Sequence, residues 1–288
     1  MSIIVPPIKC QGIKTKLVKW ILSKMPKEFD GIWYEPFMGS GVVGFNVKPK
    51  RAVFSDTNPH IIQFYNDMKN SIITDLIVRS YLEEQNLLLK EGGVEYYRFI
   101  RERFNSSPNS LDFLFLNRSC FNGIIRFNKK GGFNVPFCQK NNRFSKAYIT
   151  KIVNQIKAVS KIIIENDYEF RCSPFENIIT GCTNSDIIYC DPPYIDRYSD
   201  YYNEWKVDDE NLLAEELSKT KAKFILSTWH HNKYRANDHI KNYNSFYIDT
   251  IEHFYHIGAK ERNRNSMVEC LITNFSLNDG EEIRVIAI

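Results

Sequence analysis

No two cysteines in the sequence are spaced as C-x-x-C, which removes the usual zinc and dithiol motifs. The seven that are present (Cys10, Cys120, Cys138, Cys172, Cys182, Cys190 and Cys270) are odd in number and widely scattered, the pattern of reduced thiols in a cytoplasm. No apolar run approaches the roughly 20 residues of a bilayer span. The start, Met1 to Pro7, is too short an apolar stretch for a signal peptide. The expectation is therefore a cytoplasmic chain with no membrane partner. Nothing repeats at a solenoid period and no segment is of low complexity. A strong charge bias is also missing: 38 Lys and Arg face 34 Asp and Glu, a formal net charge of +4. That balance permits a nucleic-acid partner without demanding one. His230 and His231 are adjacent, and neighbours on a strand point to opposite faces, so no metal site is expected.

What the sequence does contain is a βα rhythm. Short apolar segments at 31–35, 51–56, 168–172, 187–190 and 223–227 alternate with helical patterns, the signature of an α/β fold with a largely parallel sheet. A further strand at 267–273 is expected to close that sheet. Asn58-Pro59 opens a helix in which Ile61, Ile62, Tyr65 and Met68 recur at helical spacing. From about 60 to 165 the βα rhythm stops and the pattern is mainly helical. One hairpin is expected there, across Arg126 to Asn134, where Lys-Lys-Gly-Gly supplies the positive φ of a tight turn. The expected division is a discontinuous catalytic domain, 1–60 with 165–288, interrupted by an inserted domain at 61–164.

Two motifs carry chemistry. Glu35-Pro36-Phe37-Met38-Gly39-Ser40-Gly41 lies between a strand and a helix, where Gly39 and Gly41 let backbone approach a ligand at the carboxyl end of the sheet. Asp56 ends the second strand, the position of an acid that holds ribose hydroxyls. The turn lacks the lysine of a phosphate loop and the full G-x-G-x-x-G spacing. Its acid, Glu35, would repel a pyrophosphate and attract a cation, such as the amino and sulfonium groups of S-adenosylmethionine. The bland alternative is an ordinary tight βα turn.

The second motif is Asp191-Pro192-Pro193-Tyr194, at the end of the strand 187–190. Adjacent prolines stiffen the chain and remove two backbone donors. The Pro192 carbonyl and the Asp191 carboxylate then form two acceptors suited to an exocyclic amino group. Accepting both N–H bonds of adenine N6 would free its lone pair for attack on a sulfonium methyl. Tyr194 offers an aromatic face to a base removed from the helix, stacking worth about 1–3 kcal/mol. Alone, the tetrad could be a Pro-Pro turn with a solvent-facing acid; after a glycine-rich turn and a second-strand acid, the catalytic reading is the stronger.

With these motifs in place the sequence resembles the Dam-type DNA adenine-N6 methyltransferases, in which the cofactor motif comes first, the recognition domain next and the catalytic tetrad last. The likeness also runs through Lys9 to Lys14, through Asp56-Thr57-Asn58, and through the insertion motif Asn117 to Asn128 with Gly132 to Phe137. It implies a Rossmann-like S-adenosylmethionine-dependent methyltransferase sheet carrying a mainly helical target-recognition domain with a β-hairpin. It implies transfer of a methyl group to a flipped adenine in double-stranded DNA, with S-adenosylhomocysteine as product, no metal, and a GATC-like site. The sequence leaves open whether a cognate restriction endonuclease acts separately as partner.

By the resemblance, Cys10, Lys14, Glu35, Pro36, Phe37, Gly39, Gly41, Asp56, Phe175 and Asp191 belong to the cofactor site. Lys9, Phe121, Asn122, Arg126, Asn128, Lys129, Lys130 and Pro136 face DNA. Arg126 is the candidate reader of guanine, by two bonds worth about 1–3 kcal/mol of discrimination. Lys129, Lys130, Lys140, Arg143 and Lys146 are candidate phosphate contacts, against the alternative of solvated surface charge; for Phe121 the alternative is core packing. Three positions depart from the family: Cys10 stands where Trp is usual, Ile13 where a second Gly is usual, and Pro174 where an Asp usually binds the cofactor's adenine. Polar residues 258–266, with Lys260, Arg262 and Arg264, read as a solvated loop or a DNA-backbone contact. Tyr201, Tyr202 and Trp205 are expected over the flipped base. The competing functions are an RNA adenine or cytosine-N4 methyltransferase and a catalytically inactive DNA-binding regulator on the same fold.

Overall fold

A computed structural model describes residues 2–26, 29–195, 205–254 and 266–276. Seven strands form one sheet: β1 Trp33–Glu35, β2 Arg51–Asp56, β3 Asp167–Cys172, β4 Ile187–Cys190, β5 Lys223–Asn232, β6 Tyr247–Phe254 and β7 Ser266–Thr273. Their order is β3-β2-β1-β4-β5-β7-β6. The first five are parallel, and β7 runs antiparallel between β5 and β6. From β1 the chain moves outward through β2 and β3, then returns to β4 on β1's other side. The crevice between the carboxyl ends of β1 and β4 is therefore the topological switch point, where open α/β sheets bind ligands.

Alternating side chains of the central strands go to opposite faces, as a pleat requires. Ile187, Tyr189, Ile225 and Leu271 join the larger core, while Ile188, Cys190, Phe224, Leu226 and Ile272 join a second core on the other face. Helices α7 Phe175–Ile179 and α8 Val207–Lys219 cover that second face, contributing Phe175, Ile179, Leu213 and Leu217. Strands covered on both sides read as continuous apolar runs, which is why β4 stands out in the sequence.

After α1 Val18–Ser23 and the short α2 Gly44–Val47, helices α3 Pro59–Lys69, α4 Asp75–Ser106, α5 Ser110–Ser119 and α6 Lys146–Glu165 all lie between β2 and β3 in sequence. Asn58 caps α3 by accepting from the His60 N–H, with Pro59 in the first turn, as the sequence indicates. The 32-residue α4 is interrupted at Gly93, whose φ of 51° is left-handed and whose missing Cβ leaves room for the Asn141 side chain. Asp112 in α5 takes two bonds from the Arg103 guanidinium of α4, at 2.6 and 2.8 Å. One apolar core joins these helices to the sheet: Trp33, Phe45 and Phe54 belong to the same cluster as Leu82, Leu89, Phe115 and Ile152.

Two expectations need correction. The strand at 267–273 does not close the sheet: β7 is interior, and β6, unread in the sequence, forms the edge. Its residues Tyr247, Asp249, Thr250 and Glu252 give the mixed polarity of an exposed edge, which weakens the apolar signal. His230 and His231 do not point apart either. The β5–β7 register is irregular between Trp229 and His231, and the two Nδ1 atoms lie 2.8 Å apart. Among the described residues no three His, Cys, Asp or Glu side chains gather as a metal-binding group, and no helix is long and apolar enough to cross a membrane.

Because one core spans sheet and insertion, Ile152→Ala, at a fully buried position of α6, should cost about 2–5 kcal/mol. The loss should appear in denaturant melts as a shift of a single transition followed by both near-UV and far-UV circular dichroism. Two separated transitions would show that the insertion unfolds on its own.

Candidate functional site

The turn after β1 is sewn to the end of β2. Met38 N–H donates to Ser55 O at 2.8 Å, and Gly39 N–H donates to Asp56 Oδ2 at 2.9 Å. The other Asp56 oxygen accepts from Asn58 N–H at 2.8 Å. Gly39 and Gly41 have φ of 47° and 69°, so both need the left-handed freedom of glycine. Gly39 faces Cys10: a Cβ built on it would lie 3.8 Å from the cysteine sulfur. Burial, helped by the nearby Asp56 charge, drives the Cys10 thiol pKa upward, so it is an inert thiol of the wall.

Glu35 is almost completely buried. Its Oε2 accepts from Trp33 Nε1 and from Gly44 N–H, both at 3.0 Å. Those two N–H donors do not offset burial, which pushes the carboxyl from 4.5 up to about 8. Gly44 is required for this approach, since a Cβ there would come within 2.5 Å of the Glu35 oxygen. Pro36 is buried beside Glu35. Phe37 stacks on Phe175 at 5.4 Å between ring centroids, and Trp205 meets both rings, at 5.4 and 5.6 Å.

Across the crevice, Asp191 follows β4 and is turned inward. Lys14 Nζ lies 2.8 Å from Asp191 Oδ1, with the lysine side chain 3% exposed and the aspartate 21%. The same ammonium donates to Gly12 O at 3.1 Å and stands 5.1 Å from the Tyr194 ring centroid. Tyr194 Oη donates to Glu269 Oε2 at 2.9 Å, and Glu269 is fully buried in β7. Burial raises the Asp191 pKa; the Lys14 charge and hydrogen bond oppose that rise, and the Glu269 charge adds to it.

A second surface gathers on the insertion. Phe121 is 53% exposed on a 3-10 turn, beside Asn122 with φ of 55°. Core packing of Phe121 is thereby excluded. The expected hairpin forms: Phe127 bridges Phe133, and Asn128 Oδ1 accepts from Lys130 N–H and Gly132 N–H at 2.9 and 3.0 Å. Lys129 and Lys130 are exposed at its tip. Arg126 Nε donates to Asn134 Oδ1 at 2.8 Å at its foot. Pro136 is exposed, and its carbonyl accepts from Phe121 N–H at 2.8 Å. Lys9 exchanges two backbone bonds of 2.9 Å with the Asn117 side chain, and its stem fills the space left by Gly123. Burial, with Arg118 and Arg143 nearby, lowers the Lys9 pKa to about 8. Two broad grooves of about 510 and 590 Å3 open along α6, and neither is lined by the tetrad.

The model of the D12 class N6 adenine-specific DNA methyltransferases matches residues 11–262, most of the chain and every element of both surfaces but Lys9, Cys10 and Glu269. The chain belongs to that family. It is 30% identical to the type II methyltransferase M.MjaIII of Methanocaldococcus jannaschii, over 94% of this chain and 99% of that protein. It is 32% identical to the DNA adenine methylase of Vibrio cholerae, over 74% and 76% respectively. The match to the type II methyltransferase M.FokI of Planomicrobium okeanokoites, 27% identical, covers 96% of this chain but 43% of that longer protein. Adenine N6 in DNA is thus the family's target, in preference to RNA, cytosine N4 or an inactive regulator.

Lys14, expected on the cofactor, is paired with Asp191 of the tetrad. Two sequence readings of this methyltransferase change in detail. Trp205, expected over the base, lies on the Phe37–Phe175 side, because its Nε1 donates to buried Glu210 of α8 at 3.1 Å. Arg143, offered as a phosphate contact, is committed internally, donating to Arg118 O and to Tyr148 Oη. Tyr201, Tyr202 and nearly all of 258–266 lie outside the described residues. Glu269 was missed altogether. Its signal is a lone acid in the apolar run Met267-Val268-Glu269-Cys270-Leu271-Ile272, where a charge is costly without a partner.

For Glu35, the folded pKa of about 8 lies above the ordinary 4.5. Between those values the folded state holds a proton that the unfolded state has released, so stability falls as pH rises, by up to about 1.4 kcal/mol per pH unit. Glu35→Gln keeps an acceptor for the two N–H groups and should flatten this part of the slope. Thermal melts of both proteins from pH 4.5 to 8 check it; parallel curves would show that Glu35 does not titrate in this window.

Proposed function

We propose that this methyltransferase transfers the methyl group of S-adenosylmethionine to N6 of an adenine rotated out of double-stranded DNA and received at Asp191–Tyr194. The observation that carries the reading is the placement of two motifs, the glycine-rich turn and the tetrad, at the ends of adjacent strands β1 and β4. The residues at the turn fit the cofactor. Glu35 is a buried carboxylate whose bonded partners among the described residues are N–H groups and no cation, so a methionyl ammonium would relieve its burial. Asp56 would take the ribose and the Phe37–Phe175 pair the adenine, with Lys14, Cys10, Pro36, Gly39 and Gly41 enclosing the rest. When bound, the cofactor supplies an electrophilic methyl carbon on a sulfonium.

The chain's own groups do the remainder. Asp191 accepts one N6–H bond, which draws the nitrogen lone pair out of the ring. As N6 gains its methyl it sheds a proton, and Asp191, whose burial makes it a better base than a solvated carboxylate, can take it. Lys14 keeps that carboxylate charged and facing inward before the base arrives. Tyr194 lies beside it as the plate against which the purine packs. No step requires a metal.

The insertion supplies the DNA contacts. Exposed Phe121 and Asn122 would enter the space left by the rotated base, and Lys9, Asn128, Lys129, Lys130 and Pro136 would flank it. Arg126 would read a guanine, with a GATC-like sequence as the working site. The type II methyltransferases among the relatives support reading the chain as the modification half of a restriction-modification pair, with an endonuclease acting separately. A DNA substrate places its work in the cytoplasm of a prokaryotic or phage-infected cell.

The test is transfer of tritiated methyl from S-adenosylmethionine to DNA free of adenine methylation, with mapping of the methylated bases. The intact chain should label adenine N6, and Asp191→Ala should lose at least about a hundredfold in rate while still binding cofactor. Arg126→Ala should cost about 1–3 kcal/mol at one base pair and broaden the mapped site there. Label on cytosine, or equal transfer by Asp191→Ala, would refute the proposal.

A further inference from the structure

Glu269 stands where a strand interior normally excludes charge. It is fully buried in β7, between β5 and the edge strand, at the level of Trp229 and Ile251. It accepts the 2.9 Å bond from the Oη of Tyr194, the last residue of the tetrad. We propose that Glu269 is a positioning residue for base capture: it fixes the Tyr194 ring in the plane that receives the extruded adenine.

The physical need is plain. Tyr194 is only half buried and follows two prolines. Proline rigidity fixes the backbone but not the tyrosine's own side-chain torsions. A plate that must meet a purine face to face needs its far end held. The phenolic oxygen is the atom farthest from the backbone, so one hydrogen bond there restrains both torsions. A charged acceptor makes that bond stronger than a neutral one would. The second restraint is the Lys14 ammonium against the ring, 5.1 Å from its centroid. Lys14 is in turn held by Asp191. Glu269, Tyr194, Lys14 and Asp191 thus form one chain of contacts from β7 to the carboxyl end of β4, and the orientation of the plate is tied to that of the amino-group acceptor. Misplacement of such a group by an ångström is enough to cost about a hundredfold in rate.

This inference rests on the proposed role of Asp191–Tyr194, and the experiment separates the two. Single-turnover methyl transfer from S-adenosylmethionine to adenine-unmethylated plasmid DNA is measured for the intact chain, Tyr194→Phe, Glu269→Leu, Glu269→Gln and the double variant Tyr194→Phe with Glu269→Leu. Cofactor affinity is measured by calorimetry on each. Tyr194→Phe keeps the ring and removes only the bonded hydroxyl. It and Glu269→Leu should each slow transfer about tenfold to a hundredfold without changing cofactor affinity. The double variant should be no slower than the slower single, because both remove the same bond. Glu269→Gln retains an acceptor and should stay within about threefold of the intact chain, a rescue that mere filling of the strand interior would not produce. If Glu269→Leu does not fold, Tyr194→Phe and Glu269→Gln still decide. Full single-turnover rate in Tyr194→Phe, or additive losses in the double variant, would overturn the role of Glu269 while leaving the methyltransferase reading intact. No transfer by the intact chain would overturn both.

Discussion

The parting of the chain between β1 and β4 is the constraint on which the site depends. Strand β1 leads away to β2 and β3, and β4 leads away to β5, so no crossover covers the gap between their carboxyl ends. Each of the two motifs ends a strand there. Glu35 caps β1 and Asp191 follows β4, and because these strands are hydrogen-bonded neighbours, with Trp33 and Tyr34 opposite Ile187 and Ile188, the two acids arrive on adjacent walls of one crevice. On the proposed reading the register that pairs β1 with β4 sets the distance over which a methyl group would pass.

That crevice is rich in acid. Glu35 and Asp191 end the two strands that flank it, Asp56 accepts from Gly39 of the adjoining turn, and Lys14 is paired with Asp191. Burial raises the pKa of Glu35, Asp56 and Asp191, so each would be stabilised by a positive or hydrogen-donating ligand. A cofactor with an ammonium and a sulfonium, and a substrate with an exocyclic NH2, both satisfy that condition, whereas a phosphate does not. On the proposed reading the DNA backbone would stay clear of the crevice and meet Lys9, near the N-terminus, and Lys129 and Lys130 on the insertion, while a neutral base enters the acidic pit.

Much of this was legible in the sequence, for identifiable reasons. β4 is buried on both faces and reads as an uninterrupted apolar run, so Asp191 was visible as the acid at its end. The Gly39–Gly41 turn was visible because positive φ calls for glycine, and the hairpin because Lys130-Gly131-Gly132 can make the turn that Asn128 then closes. β6 was not legible, since an edge strand with alternating polar residues carries little hydrophobic contrast. The Lys14–Asp191 pair and the Tyr194–Glu269 bond were not legible either. Each joins residues more than 70 positions apart, and only the sheet order brings them together. The bend that turns His230 toward His231 is a register irregularity, which a period-two reading cannot anticipate.

The departures from the family pattern acquire a physical consequence in this setting. Pro174 is exposed and has neither N–H nor polar side chain, so an adenine at that end cannot be held by the usual carboxylate. Cys10 replaces a broad aromatic wall with a small, neutral thiol. What the structure offers next to Pro174 is aromatic surface, beginning with Phe175. Phe37, Phe175 and Trp205 meet one another within 5.6 Å, and Trp205 is held by Glu210, which also accepts from Tyr243 at 3.0 Å. On the proposed reading the cofactor's adenine is recognised by stacking more than by hydrogen bonds to its edge. Stacking discriminates poorly among purines, because every base has a π face. Selectivity for the cofactor would then fall to its other end, where a ligand cation would favour the ionised form of buried Glu35.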